Sequence, residues 1–96
     1  MEHIPDNDTM ADVLAAVMAT FQTRFGVSQE ELLFDQFLKD VSKNDRELVS
    51  HALMDIHELL ELELEYVPLN EYEMFPQVCD VANYFYYELA KKRDLI

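Results

Sequence analysis

A chain of 96 residues with half of its positions apolar is one folded domain, too long to be a peptide and too apolar to remain an acidic coil. Its 20 Asp and Glu against 7 Lys and Arg leave a net charge of −13. That balance argues against direct nucleic-acid binding and against anionic membrane surfaces, and it points to a basic protein surface as partner. Cys79, the one cysteine, excludes an internal disulfide and reads as a buried structural thiol. No apolar run has the length of a membrane span, and the start MEHIPDND is acidic where a signal peptide is basic, so a cytoplasmic location is expected.

Residues 1–8 read as a loose leader, and 9–96 as a single helical domain. Asp8 or Thr9 stands at an N-cap position, with Asp12 in the following turn. Met10, Val13, Leu14, Val17, Met18, Phe21 and Phe25 form an apolar stripe that ends at Gly26, so the first helix is expected over 9–25. Ser28-Gln29-Glu30-Glu31 has the form of a capping box. The segment behind it, to Asp40, is compatible with a short helix or with an ordered loop holding one helical turn.

The stretch from Ser42 to Pro68 dominates the chain. Leu48, Val49, Ala52, Leu53, Ile56, Leu60 and Leu64 recur at helical spacing, and Asp55, Glu58, Glu61, Glu63 and Glu65 crowd the same segment with few bases near them. From Leu60 to Val67 the apolar and acidic residues alternate as in a half-buried strand, but Leu and Glu are good helix formers, and a helix over 43–64 is expected. Ser42 is its expected N-cap and Pro68 marks its exit. A single helical turn after Asn70 is expected next. Pro76 then suits a first helical position, and Val78, Val81, Ala82, Phe85 and Leu89 predict a last helix over 76–92, with Lys91, Lys92 and Arg93 in its final turn. The fold class is therefore all-α: a small bundle of three main helices and one or two short ones.

No catalytic set emerges, and an enzyme is not expected. Glu47, His51 and Asp55 share one stripe of the central helix, but helix-surface ion pairing accounts for them better than a metal site, and His57 with Glu61 reads the same way. Glu47, Asp55, Glu58, Glu61 and Glu65 are candidates to dock a basic partner. Leu59 and Leu62 lie off the main apolar ridge. Exposed, they would anchor such an interface, while burial between neighbouring helices is the slightly preferred reading. Tyr84-Phe85-Tyr86-Tyr87 covers more of the last helix than one core face needs, which leaves room for a homodimer seam.

Several local signatures, taken in order, resemble the acyl carrier protein family over residues 10–90. Phe25-Gly26-Val27-Ser28-Gln29-Glu30-Glu31-Leu32 is similar to that family's exit from its first helix, and Phe37-Leu38-Lys39-Asp40-Val41 to its Phe-x-x-Asp-Leu stretch. Val67-Pro68 and Phe75-Pro76-Gln77-Val78 resemble the end of its second helix and the entry to its last. The resemblance implies a carrier-like helical bundle that docks partners through its second helix. The Asp-Ser-Leu that receives 4′-phosphopantetheine is missing. Asp45 falls near the place of the serine, and Ser42 is the one hydroxyl in its neighbourhood.

The leading expectation is thus a non-catalytic, acidic, acyl-carrier-like module that binds a protein through its second helix and carries no cofactor. A divergent carrier of fatty-acid or secondary-metabolite synthesis, modified at Ser42, is the first alternative. A small acidic inhibitor or immunity protein that blocks a basic target is the second.

Overall fold

The computed structural model describes residues 7–28, 30, 32, 34–62 and 70–94. They form five helices: α1 (Asn7–Phe25), α2 (Leu38–Val41), α3 (Arg46–Leu59), α4 (Glu71–Met74) and α5 (Val78–Lys92). Among the described residues there is no strand, and the expected small all-α bundle is what the chain builds. An isolated bridge between Phe37 and Gln77 is its one sheet-like pairing there.

The first helix begins earlier than expected, since Asn7 and Asp8 are already helical and Thr9 is buried inside it. It ends where its spacing predicts: Gly26 adopts φ +68° and donates to the Gln22 carbonyl at 3.1 Å. The described residues of the following segment are loop, with one turn, α2, near its end. This loop has a structural task. The carbonyls of Gln36 and Phe34 accept the N–H groups of Val78 and Cys79, each at 2.9 Å, which satisfies donors that the first turn of α5 cannot pair internally. The α5 start is tightened further by a capping box in which the Gln77 N–H donates to Asp80 Oδ2 at 2.9 Å. Pro76 therefore precedes the helix instead of opening it, and its carbonyl accepts the Leu38 N–H.

The boundaries of the central helix need two corrections. Its N-cap is Asp45, whose Oδ1 accepts the Leu48 N–H at 3.1 Å. Ser42 instead closes α2. Between the two, Lys43 and Asn44 take left-handed backbone angles, φ 56° and 63°, and redirect the chain. At the other end α3 stops at Leu59, five residues before the expected 64. Glu61 adopts φ 55°, the Leu62 N–H reaches the His57 carbonyl at 2.8 Å, and the Glu61 N–H reaches the Glu58 carbonyl at 3.0 Å. This is a Schellman stop with Glu in the place that glycine usually fills. Lys92 Nζ, from the end of α5, donates to the Glu61 carbonyl at 2.6 Å and holds that stop in place. The remainder of the alternating stretch, including Leu64, Glu65 and Pro68, lies outside the described residues.

The long helices share one core. Val13, Val17 and Phe21 of α1 are buried together with Val49, Ile56, Val81, Phe85 and Leu89 of the other two. Arg24 at the end of α1 pairs with Asp55, whereas Asp12 and Ala15 earlier in α1 share a hollow with Leu59 and Leu60 at the end of α3, so these helices are antiparallel. Arg93 at the end of α5 reaches Thr9 and Asp12 at the start of α1, so that pair is antiparallel too. By consequence α3 and α5 run parallel, and the connection containing α4 crosses from the end of one to the start of the other.

The cap assignment is testable by urea denaturation. Asp45→Ala is expected to lower stability by about 1 kcal/mol, the usual cost of losing a side-chain N-cap.

Candidate functional interface on α3

The spacing of α3 sorts its residues into three faces. Val49, Ala52, Leu53 and Ile56 point into the core. Glu47, His51, Met54 and Glu58 fall on one outward stripe at helical spacing, and all four are exposed. Asp55 and Leu59 lie at the edge of that stripe nearest α1, and beyond the helix stop come Glu61, exposed, and Leu62, half-buried.

The five candidate acids differ sharply once placed. Asp55 is bound by Arg24 in a two-pronged pair, Nε to Oδ2 at 2.6 Å and Nη2 to Oδ1 at 3.2 Å. That hydrogen bond pushes the Arg24 guanidinium further up from its ordinary range, so the arginine keeps its charge. Asp55 is consequently a tie between α1 and α3 and is not a free docking charge. Glu61 approaches Lys92 Nζ at 3.9 Å while exposed to solvent, a pairing too loose to neutralise it. Among the described residues no cation pairs with Glu47 or Glu58. Glu65 lies outside the described residues.

The apolar candidates also separate. Leu59 is 59% exposed, against the preference for burial, because α3 ends at that residue and no helix among the described residues covers its outer side. Sequence spacing overlooked Met54, which is 43% exposed between Glu47 and Glu58 on the acidic stripe. Its spacing of seven from Glu47 was the available signal. Acid and exposed apolar side chains therefore occupy the same face, the composition that an interface core with a polar rim requires.

His57 is buried and makes no ion pair with Glu61. Its Nδ1 donates to the Leu53 carbonyl at 2.7 Å, and its Nε2 meets the Tyr84 hydroxyl at 3.2 Å. The carbonyl can only accept, so Nδ1 carries a proton and, in the neutral ring, Nε2 accepts from Tyr84. The ring also packs edge-on against Phe85, with centroids 4.8 Å apart. Most of the expected aromatic surplus of α5 is thereby used inside the fold: Phe85 and Tyr86 are buried, Tyr84 serves His57, and Tyr87 is the exposed member. Cys79 is half-buried, with its thiol 3.8 Å from Gln77 Oε1.

Ser42 and Glu71 form a buried polar corner where α2, α3 and α4 meet. Ser42 is 3% exposed, and its hydroxyl lies 2.6 Å from that of Tyr72. Glu71 is likewise 3% exposed. Ser50 Oγ donates to its Oε1 at 2.8 Å, and Arg46 Nη2 lies 3.4 Å from Oε2. No sequence motif flagged Glu71, because the acids around it look alike until the fold buries one of them. No group of His, Cys, Asp and Glu able to hold a metal ion occurs among the described residues, and no helix there is long and apolar enough to cross a membrane.

Ser50→Ala leaves the buried Glu71 carboxylate without its short hydrogen bond, and a loss of about 1–3 kcal/mol is expected in urea denaturation. His57→Ala removes a packed ring and two hydrogen bonds, with an expected loss of about 2–4 kcal/mol by the same measurement.

No family model, no curated protein and no solved structure matches this chain.

Proposed function

We propose that this chain is a non-catalytic, acidic, acyl-carrier-like protein that binds a basic partner protein through the outward face of α3. The observation that carries the reading is the stripe Glu47–His51–Met54–Glu58, where two carboxylates without a cation partner flank an exposed Met, with Leu59 exposed at its edge. Acidic residues of this kind steer a basic partner and fix its register, while the apolar side chains supply the contact that excludes water. The carrier-like element is supported by the order of the helices, with a long loop before α3 and a short α4 before α5. A non-modified role is supported at the start of α3. Asp45, near the place the resemblance gives to the modified serine, caps the helix, and Ser42 is buried against Tyr72.

Two measurements test this. A partner retained by the wild-type protein at low ionic strength should be lost by Glu47→Lys/Glu58→Lys, and its affinity should fall steadily as salt rises. Equal, salt-insensitive retention by both proteins overturns the α3 assignment. Intact mass after incubation with coenzyme A and a broad-specificity phosphopantetheinyl transferase should show no gain. A gain of one phosphopantetheine that disappears in Ser42→Ala would instead establish a working carrier.

A further inference from the structure

Along the antiparallel pair α1–α3 lie two adjoining open hollows, of about 650 and 430 Å³, that share Ala19 and Leu59 in their walls, the larger being lined also by Leu89, Lys92 and Arg93 from the end of α5. Together they make one groove along the outside of the pair. Its α1 side presents Ala15, Ala19 and Thr23, exposed and four residues apart, so they line up along one helical edge with little side chain standing above the backbone. Its α3 side is formed by Leu59, 59% exposed, and Glu58. A second, independent feature lies in the same wall. Thr20 lines the smaller hollow, is 4% exposed, and its hydroxyl has no hydrogen-bond partner in the fold. Buried hydroxyls are ordinarily paired.

The charge around this groove selects its occupant. Of the cations that border it, Arg24 pairs with Asp55 and Arg93 with Asp12, while Lys92, bonded to the neutral Glu61 carbonyl, keeps its charge beside the exposed Glu61 carboxylate. Glu58 has no such counterpart, and the chain as a whole carries −13. A second copy would bring that same charge against itself, which disfavours self-association. Small side chains on one wall let a helix backbone approach closely, and the exposed Leu59 offers a knob for its apolar face.

We infer that the α1–α3 groove receives an amphipathic, basic helix of a partner protein, seated with its apolar face on Ala15, Ala19 and Leu59 and its cations toward Glu58. This rests on the α3 reading above and deepens it: it moves the contact centre from the outward stripe to the edge shared with α1.

The test uses a synthetic Leu/Lys amphipathic helix of about five turns, titrated into the full chain at low salt and followed by amide chemical shifts and fluorescence anisotropy. The inference expects shifts concentrated at Ala15, Ala19, Thr23 and Leu59. Ala19→Phe, which fills the groove at an exposed position, should weaken binding about tenfold or more, the usual scale for blocking an interface centre, whereas Ala19→Ser should bind as the wild type does. Shifts confined to Glu47, His51 and Met54, with Ala19→Phe binding unchanged, would overturn the groove and leave the α3 reading standing. No binding at low salt would overturn both. A concentration-dependent dimer that Ala19→Phe dissociates would also overturn the inference, because the groove would then be filled by a second copy.

Discussion

The burial of one ridge on α1, Val13, Val17 and Phe21, against both α3 and α5 is the constraint from which the rest of the molecule follows. Each fully buried side chain of this size contributes about 1.5–3 kcal/mol relative to exposure, whereas a partly exposed ion pair contributes about 0–1 kcal/mol. The ridge therefore supplies the association of the long helices. The polar ties at the helix ends, Arg24–Asp55 and Arg93 with Thr9 and Asp12, act chiefly on register. Arg93 sets the register of α5 on α1, and the His57–Tyr84 and Lys92–Glu61 contacts, which follow the same order along α3 and α5, fix those two helices as parallel neighbours.

Parallel neighbours need a crossover, and the crossover explains the buried polar corner. The chain must leave the end of α3 and return to the level of its start before α5 can begin. α4 lies on that return, and its first residue, Glu71, comes to rest against Ser50 and Arg46 near the beginning of α3. The loop before α2 meets the same region, and its carbonyls accept N–H groups from the start of α5. Ser42 is enclosed in consequence, so its hydroxyl serves Tyr72 and Lys39 within the fold. Ser42, which in sequence reads as the cap of the central helix and only in the alternative as an attachment point, is thus a contact inside the fold.

The same arrangement sorts the acid. A net charge of −13 describes the whole surface, but the bundle neutralises it unevenly. The cations at the ends of α1 and α5 take Asp55, Asp12 and the carbonyl of Glu61, while Glu47 and Glu58 stay open beside Met54 and Leu59. Charge and exposed apolar surface coincide along the outward side of α3 and its edge with α1, and the proposal of a protein partner rests on that coincidence.

Sequence alone determined the number and order of the long helices, the turn after Asn70, the Gly26 exit and the acidity, because those depend on local periodicity, backbone freedom and composition. Tertiary structure decided the rest. Leu62 and Glu61 carry no stop signal of their own, since both residues favour helix. The chain turns there because the left-handed Glu61 is held by Lys92, which lies 31 residues later. His57 looks like a surface partner for Glu61 until Tyr84 and Phe85 of the parallel helix enclose it. Leu59 looks ready for burial until the helix stops beside it and leaves it exposed among the described residues. In each case the outcome depends on which distant segment arrives, and the spacing of residues within one helix contains no term for that.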